Sequence, residues 1–186
     1  MSVTLKRYRE IKAAVIAAGF ESEIHWAENI KPVKKAWDFM WAAIWVIVSS
    51  GLNDDTAKSI MKDLQRNEAS GRRRMPVIKI LKHKGKAAAI EAFILGREKM
   101  FIQYRDAQKP IDYLNTLPYI GEVTKFHLAK NLGIQTPMPD NDLKRLAAEW
   151  DYEDVFVMVM DIAERSGESV ATVDTVLRRA CIQEIL

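Results

Sequence analysis

Apolar residues recur with a helical period from the start of the chain. Leu5, Tyr8, Ile11, Val15 and Ala18 share one face, which predicts a helix over residues 4–18 that Gly19 stops. A polar and aromatic passage without periodicity follows (Phe20, Glu23, His25, Trp26, Asn29). Pro32 then opens a predicted helix to residue 49. Its apolar residues, Val33, Ala36, Trp37, Met40, Trp41, Ile44, Trp45 and Val48, cover most of its circumference, so it is expected to be central. Trp37, Trp41 and Trp45, at i, i+4 and i+8, read as a packing stripe.

Ser50-Gly51-Leu52-Asn53 is a predicted turn, with Asn53 or Asp54 capping a helix to about residue 64. Residues 65–75 read as a loop carrying Arg72, Arg73 and Arg74, and residues 76–84 as a short helix in preference to a strand. Helices over 86–95 and 97–107 are expected to break at Gly96. A short helix starts at Pro110, a second runs over 122–132 to a stop at Gly133, and a linker with Pro137 and Pro139 leads to Asp140. Helices over 142–149, 152–165 and 170–185 close the chain. No alternating strand pattern and no internal repeat occurs, so the class is all-α. The 186 residues are read as a single helical domain with two small lobes, containing a helix-hairpin-helix element at 110–133.

Composition narrows the picture. With 48% hydrophobic residues the chain can bury a large core, and its one cysteine, Cys181, excludes both a disulfide framework and a four-thiolate iron–sulfur cluster. The longest apolar run, residues 39–48, is half of a membrane span, so no membrane association is expected. The segment Met-Ser-Val-Thr-Leu-Lys-Arg-Tyr-Arg-Glu is charged from the outset and unlike a secretory signal, so a cytoplasmic location is expected, and the chain is taken to be a monomer. Charge is uneven. Residues 71–105 carry ten basic against two acidic side chains, and residues 138–186 five basic against eleven acidic. A solvated face explains such runs in most proteins, but a cationic middle beside an acidic end also suits a one-sided polyanion-binding surface. His83 and His127 are isolated, with no zinc-ligand spacing, and no metal is expected. Asp174 and Arg178 read as a structural i, i+4 pair.

The stretch richest in chemistry is residues 111–145. It reads helix, Leu117-Pro118-Tyr119-Ile120-Gly121-Glu122-Val123-Thr124-Lys125, helix, Gly133, linker, Pro139-Asp140-Asn141-Asp142-Leu143-Lys144-Arg145. A tight hairpin that ends in glycine presents unpaired amides at a helix start, where the helix dipole is positive. A phosphate can sit on the amides near Gly121, Val123 and Thr124, with Lys125 or the Thr124 hydroxyl adding contacts, and such contacts hold a duplex without reading its sequence.

These residues resemble the helix-hairpin-helix DNA glycosylase superfamily, which includes endonuclease III. The family's hairpin reads Leu-Pro-Gly-Val-Gly, and here Tyr119 stands at the first glycine. The family's Val-Asp-x-His-x-x-Arg is matched at Asp140 and Arg145, with Asp142 in the histidine's place. Upstream, residues 47–56 resemble the family's loop that enters DNA where the target base leaves the stack. Gly51 occupies the place of its glutamine, which leaves Leu52 or Asn53 as the wedge. The resemblance runs in order from about Trp37 to Arg179.

The resemblance implies a fold of that type without an iron–sulfur cluster, double-stranded DNA as partner, no cofactor beyond room for a monovalent cation at the hairpin carbonyls, and base flipping. Asp140 becomes the catalytic carboxylate that stabilises charge building on the deoxyribose. An N-cap aspartate is the plain structural alternative. Val123 stands where some members carry a nucleophilic lysine, so a monofunctional N-glycosylase (a hydrolase) without Schiff-base lyase activity is expected. The DNA-facing residues are then Leu52, Asn53, Arg72, Arg73, Arg74, Tyr119, Gly121, Val123, Thr124 and Lys125. Glu23, His25, Trp26 and Glu28 form a candidate base pocket, each also readable as loop or core. Two alternatives stay open. One is a phage-type transferase (amino acid:DNA transferase or thymine pyrophosphorylase-like) that hypermodifies an activated hydroxymethylpyrimidine in DNA. The other is a non-catalytic DNA-binding module.

Overall fold

The computed structural model describes residues 3–186, the side chain of Arg72 excepted. Among these residues the chain is helical, with no strand. The α-helices are α1 (Leu5–Val15), α2 (Glu21–Asn29), α3 (Ala36–Ser49), α4 (Asp54–Ala69), α5 (Lys84–Asp106), α6 (Pro110–Leu114), α7 (Thr124–Asn131), α8 (Asn141–Glu149), α9 (Val155–Ser166) and α10 (Val170–Ile182). None is long and apolar enough to cross a membrane.

Several elements differ from the sequence reading for identifiable reasons. The passage after Gly19 is not a loop. Gly19, at φ 94°, makes a kinked turn and the chain continues as α2, whose buried stripe is only Ile24 and Ala27. Helix α3 starts at Ala36, because Lys35 is still extended. Helix α4 runs past residue 64 to Ala69, since Asn67 is buried in register and its side-chain amide exchanges two 2.8 Å hydrogen bonds with the Met75 backbone. Only Val77–Lys79 forms a 3-10 turn in the region expected to be a short helix. Gly96 does not break α5; the Met100 side chain lies over it.

Two compact units divide the chain, one formed by the segment up to Pro32 with Ala129–Leu186, the other by Val33–Leu128. In the first, α10 is the centre. Every residue from Val170 to Leu177 is buried, and the helix packs against α1, α2, α8 and α9. Tyr8, Ile11 and Val15 of α1, Leu143 and Leu146 of α8, and Met158, Val159 and Ile162 of α9 join its cluster. Each such aliphatic side chain contributes about 1.5–3 kcal/mol by leaving water. Gly133, at φ 87°, ends α7 against the backbone of Pro32; a Cβ there would stand 2.5 Å from the Pro32 nitrogen. Glycine is therefore required at this position on both conformational and steric grounds.

In the second unit α3 lies along α5 and contacts α4. The buried face of α3 is Phe39, Met40, Ala43, Ile44 and Ile47, with the Phe39 ring 5.2–6.3 Å from those of Phe93, Phe101 and Tyr104. The tryptophan stripe is not this face. Trp37 is 45% exposed, Trp41 and Trp45 are half-buried, and Trp37 packs on the edge of Trp41 beneath the Arg97 guanidinium.

Candidate nucleic-acid interface

Leu117–Ile120 is a tight turn, closed by a 3.1 Å hydrogen bond from the Ile120 N–H to the Leu117 carbonyl. Pro118 fixes its second residue, and Tyr119 takes φ 65° at the third. A type II turn has this arrangement, proline followed by a left-handed residue, and glycine is the usual occupant of the latter. A non-glycine residue there costs about 1–2 kcal/mol. Buried Leu117 and Ile120 anchor the turn on either side of the exposed tip. The Gly121 amide does not await an anion, because it donates to the Thr124 hydroxyl at 2.8 Å. The expectation that Gly121 holds phosphate through its N–H is thereby corrected. Lys125 bonds the Glu122 carboxylate and lies over the Phe126 ring. That pairing, with Asn115 adding a second hydrogen bond, holds Glu122 below the usual carboxylate range and neutralises Lys125 locally.

Residues 50–53 form the expected turn, and Asn53 caps α4 by accepting from the Thr56 N–H at 2.9 Å. Asn53 is thus committed to the helix, leaving Leu52, 37% exposed, as the projecting side chain. What holds this loop is a residue that the sequence reading passed over. Lys86 is buried in α5, and its ammonium donates to the carbonyls of Val48 (3.2 Å) and Ser50 at the end of α3. Burial lowers its pKa. Four residues earlier in the chain lies Lys82, and the α5 cap is His83, whose Nδ1 accepts from the Lys86 N–H at 3.2 Å. The Tyr119 ring meets His83 edge-on at 5.8 Å between centroids, its hydroxyl 3.4 Å from Nε2, and rests against Gly85. Through Lys86 and His83 the start of α5 is therefore tied to both the Leu52 loop and the Tyr119 turn.

The basic segment divides into committed and open charges. Arg74 is ion-paired within the fold, 2.9 Å from Glu91 and 3.7 Å from Glu68, so it is corrected from a DNA ligand to a structural ion. Arg97 and Arg105 also have acidic neighbours. Arg73, Lys79, Lys82, Lys84 and Lys99 are exposed and have no acidic partner among the described residues. The Arg72 side chain lies outside the described residues.

In the first unit Asp140 caps α8, its Oδ1 accepting from the Leu143 N–H at 2.9 Å. Burial pushes its carboxyl upward, opposed by that hydrogen bond and by Arg178, while Asp174 and Asp142 add to the rise. The linker ahead of it is held from below. Asp174 accepts from the Met138 N–H at 2.8 Å and from the Lys130 ammonium at 2.6 Å, and the Asp140 N–H turns back to the Met138 carbonyl at 2.8 Å. Asp174 is fully buried and Lys130 nearly so, at 2%. Burial lowers the Lys130 pKa and the Asp174 carboxylate opposes that. The expected Asp174–Arg178 pair is thus corrected; Asp174 is committed to α7 and the linker, and Arg178 points to the Met138 sulfur at 3.5 Å. Asp142 pairs with Arg145 at 3.3 Å.

The four candidate pocket residues do not converge. Glu23 makes a two-pronged bond to Arg179 (2.6 and 2.7 Å), and Glu28 bonds Lys12 at 2.9 Å. His25 is exposed and near Asn29, and Trp26 is 44% exposed, neither core nor pocket wall. Both carboxylates of the cluster are thereby corrected to structural roles. Lys82, His83, Lys84 and Lys86 form the group that sequence reasoning missed. A histidine three residues before the amide it caps was its one visible signal.

No family model matches the chain, and neither the curated proteins nor the solved structures contain a match to it.

Proposed function

We propose that this chain binds double-stranded DNA and, with Asp140 as the catalytic carboxylate, breaks the bond between deoxyribose and an extrahelical base as a monofunctional N-glycosylase. The observation that carries this reading is the backbone of Tyr119. The resemblance sets it where the family has glycine, and it adopts the left-handed turn conformation that a glycine would supply. The hairpin pattern is thus supported at its most divergent position. The exposed Leu52 and the open charges of Arg73, Lys82 and Lys84 suit the same reading, with phosphate contacts positioning the duplex and Leu52 filling the space a departing base leaves. A half-buried carboxylate held in place by the hydrogen bond it accepts from the Leu143 N–H suits electrostatic work on a developing cation.

The test is mass spectrometry of products from duplexes that carry damaged bases, uracil or hydroxymethylpyrimidines, with and without activated phosphorylated forms and amines. Free base and an abasic site, both lost in Asp140→Asn, are expected. A heavier nucleoside with no abasic site would replace the glycosylase reading by the transferase. Intact DNA with binding retained would leave a binding module.

A further inference from the structure

Tyr119 occupies a backbone conformation that favours glycine, and strain of this kind persists where a side chain has something to do. The other non-glycine residues at positive φ, Asp151 and Glu184, follow the ends of α8 and α10, where a left-handed residue ordinarily closes a helix. Tyr119 closes no helix, since α6 ends five residues earlier; it sits at the turn position where glycine is the usual occupant.

Its side chain is instead organised by a directed chain of hydrogen bonds. The Lys86 N–H donates to His83 Nδ1, so that nitrogen acts as acceptor and the ring proton of the neutral imidazole resides on Nε2. Nε2–H therefore faces the Tyr119 hydroxyl oxygen at 3.4 Å as donor. With its oxygen accepting from the imidazole, the hydroxyl has its own proton left to give, at an exposed turn tip. Gly85 beneath the ring leaves no room for a larger residue without a shift, which keeps the phenol in place. Lys82 and Lys84, on either side of His83, are exposed and without acidic partners among the described residues.

We propose that the Tyr119 hydroxyl donates a hydrogen bond to a phosphodiester oxygen of bound nucleic acid, and that His83 is the residue that positions it. This rests on the second unit being the nucleic-acid-binding surface. It adds that the departure from glycine is a gain of a phosphate ligand.

The experiment compares four full-length proteins for binding to a fluorescein-labelled 16-base-pair duplex by anisotropy, with thermal melts of each. Tyr119→Phe keeps ring and backbone and deletes the donor. It is expected to weaken binding about tenfold, the size of one hydrogen bond to a charged acceptor, with an unchanged melt. Tyr119→Gly relieves the strained turn and is expected to melt higher than the wild type while binding as weakly as Tyr119→Phe. His83→Asn keeps a side chain able to cap α5 and removes Nε2. A smaller loss, about threefold, is expected, since the hydroxyl remains but is no longer oriented. Nitrogen chemical shifts of the wild-type imidazole should give Nδ1 as unprotonated and Nε2 as protonated. Wild-type binding with Tyr119→Phe unchanged overturns the inference alone. Loss in Tyr119→Gly but not in Tyr119→Phe overturns it in favour of ring stacking. Failure of the wild-type protein to bind the duplex overturns the nucleic-acid reading itself and the inference with it.

Discussion

Removing either partner of the Lys130–Asp174 pair should cost far more than removing both. The side chains are 2% and 0% exposed and 2.6 Å apart, and Asp174 also serves the Met138 amide. Lys130→Met leaves a buried carboxylate with one backbone donor, and Asp174→Asn leaves a buried ammonium facing an amide. Breaking a buried pair from one side costs about 3–5 kcal/mol. The double variant Lys130→Met/Asp174→Asn carries no charge, and the asparagine oxygen can still accept from the Met138 N–H. Its cost should fall to about 1–2 kcal/mol, that of one imperfectly satisfied amide group. The double-mutant cycle then gives a coupling of about 4 kcal/mol or more. Urea unfolding followed by circular dichroism and by tryptophan fluorescence is the assay, with Trp150, packed against the core of the first unit, as a local reporter. Additive costs in the double variant would refute the reasoning, as would single variants within about 1 kcal/mol of the wild type.

Asp140→Asn should be more stable than the wild type at neutral pH. Burial raises the folded-state pKa, so the stability this carboxyl contributes is complete below its unfolded value and is lost as pH rises through the folded one. Asparagine caps comparably well, and urea midpoints should show its advantage shrinking as pH falls into the carboxylate range. Lys86→Met strands the Val48 and Ser50 carbonyls, at a cost of about 2–3 kcal/mol, and should speed hydrogen exchange at the Leu52 amide, now bonded to Ser49. On the proposed monofunctional reading, borohydride should trap no protein–DNA adduct; a trapped band would show an amine nucleophile and refute that reading. Neutralising Arg73 should lower the salt dependence of DNA binding by about one ion, whereas neutralising Arg74 should cost stability instead, because Glu68 and Glu91 lose their cation.

Local signals were legible and distant ones were not. Asn53 and Asp140 cap helices because a short side-chain acceptor three residues before an open amide is a local arrangement that the sequence exposes. The turn at Leu117–Ile120 was readable for the same reason. Gly96 misled because the intrinsic cost of glycine, about 1 kcal/mol, is smaller than the packing that carries α5 through it. Helix α2 was hidden because only Ile24 and Ala27 face inward, too few for a period. Arg74 and Glu23 looked available for a ligand because their partners, Glu91 and Arg179, are 17 and 156 residues away. Asp174 seemed to have a neighbour in Arg178, yet its actual partner is 44 residues back along the chain. The hairpin's phosphate-facing amides were expected from helix geometry, but the Thr124 hydroxyl that claims one of them depends on a rotamer.

The glycine that lets residue 133 lie against Pro32 bears on how the protein is made. The first unit is assembled from the two flanks of the chain, so it cannot form until the ribosome has passed the whole of the second. Helix α1 emerges early with Tyr8, Ile11 and Val15 on one side, and its principal partner, α10, begins only at Val170. At cellular synthesis speeds that interval is on the order of 10 s, ample for residues 33–128 to settle into their own contacts first. During it the apolar stripe of α1 lacks its α10 partner, and a chaperone or a premature aggregate would compete for that stripe.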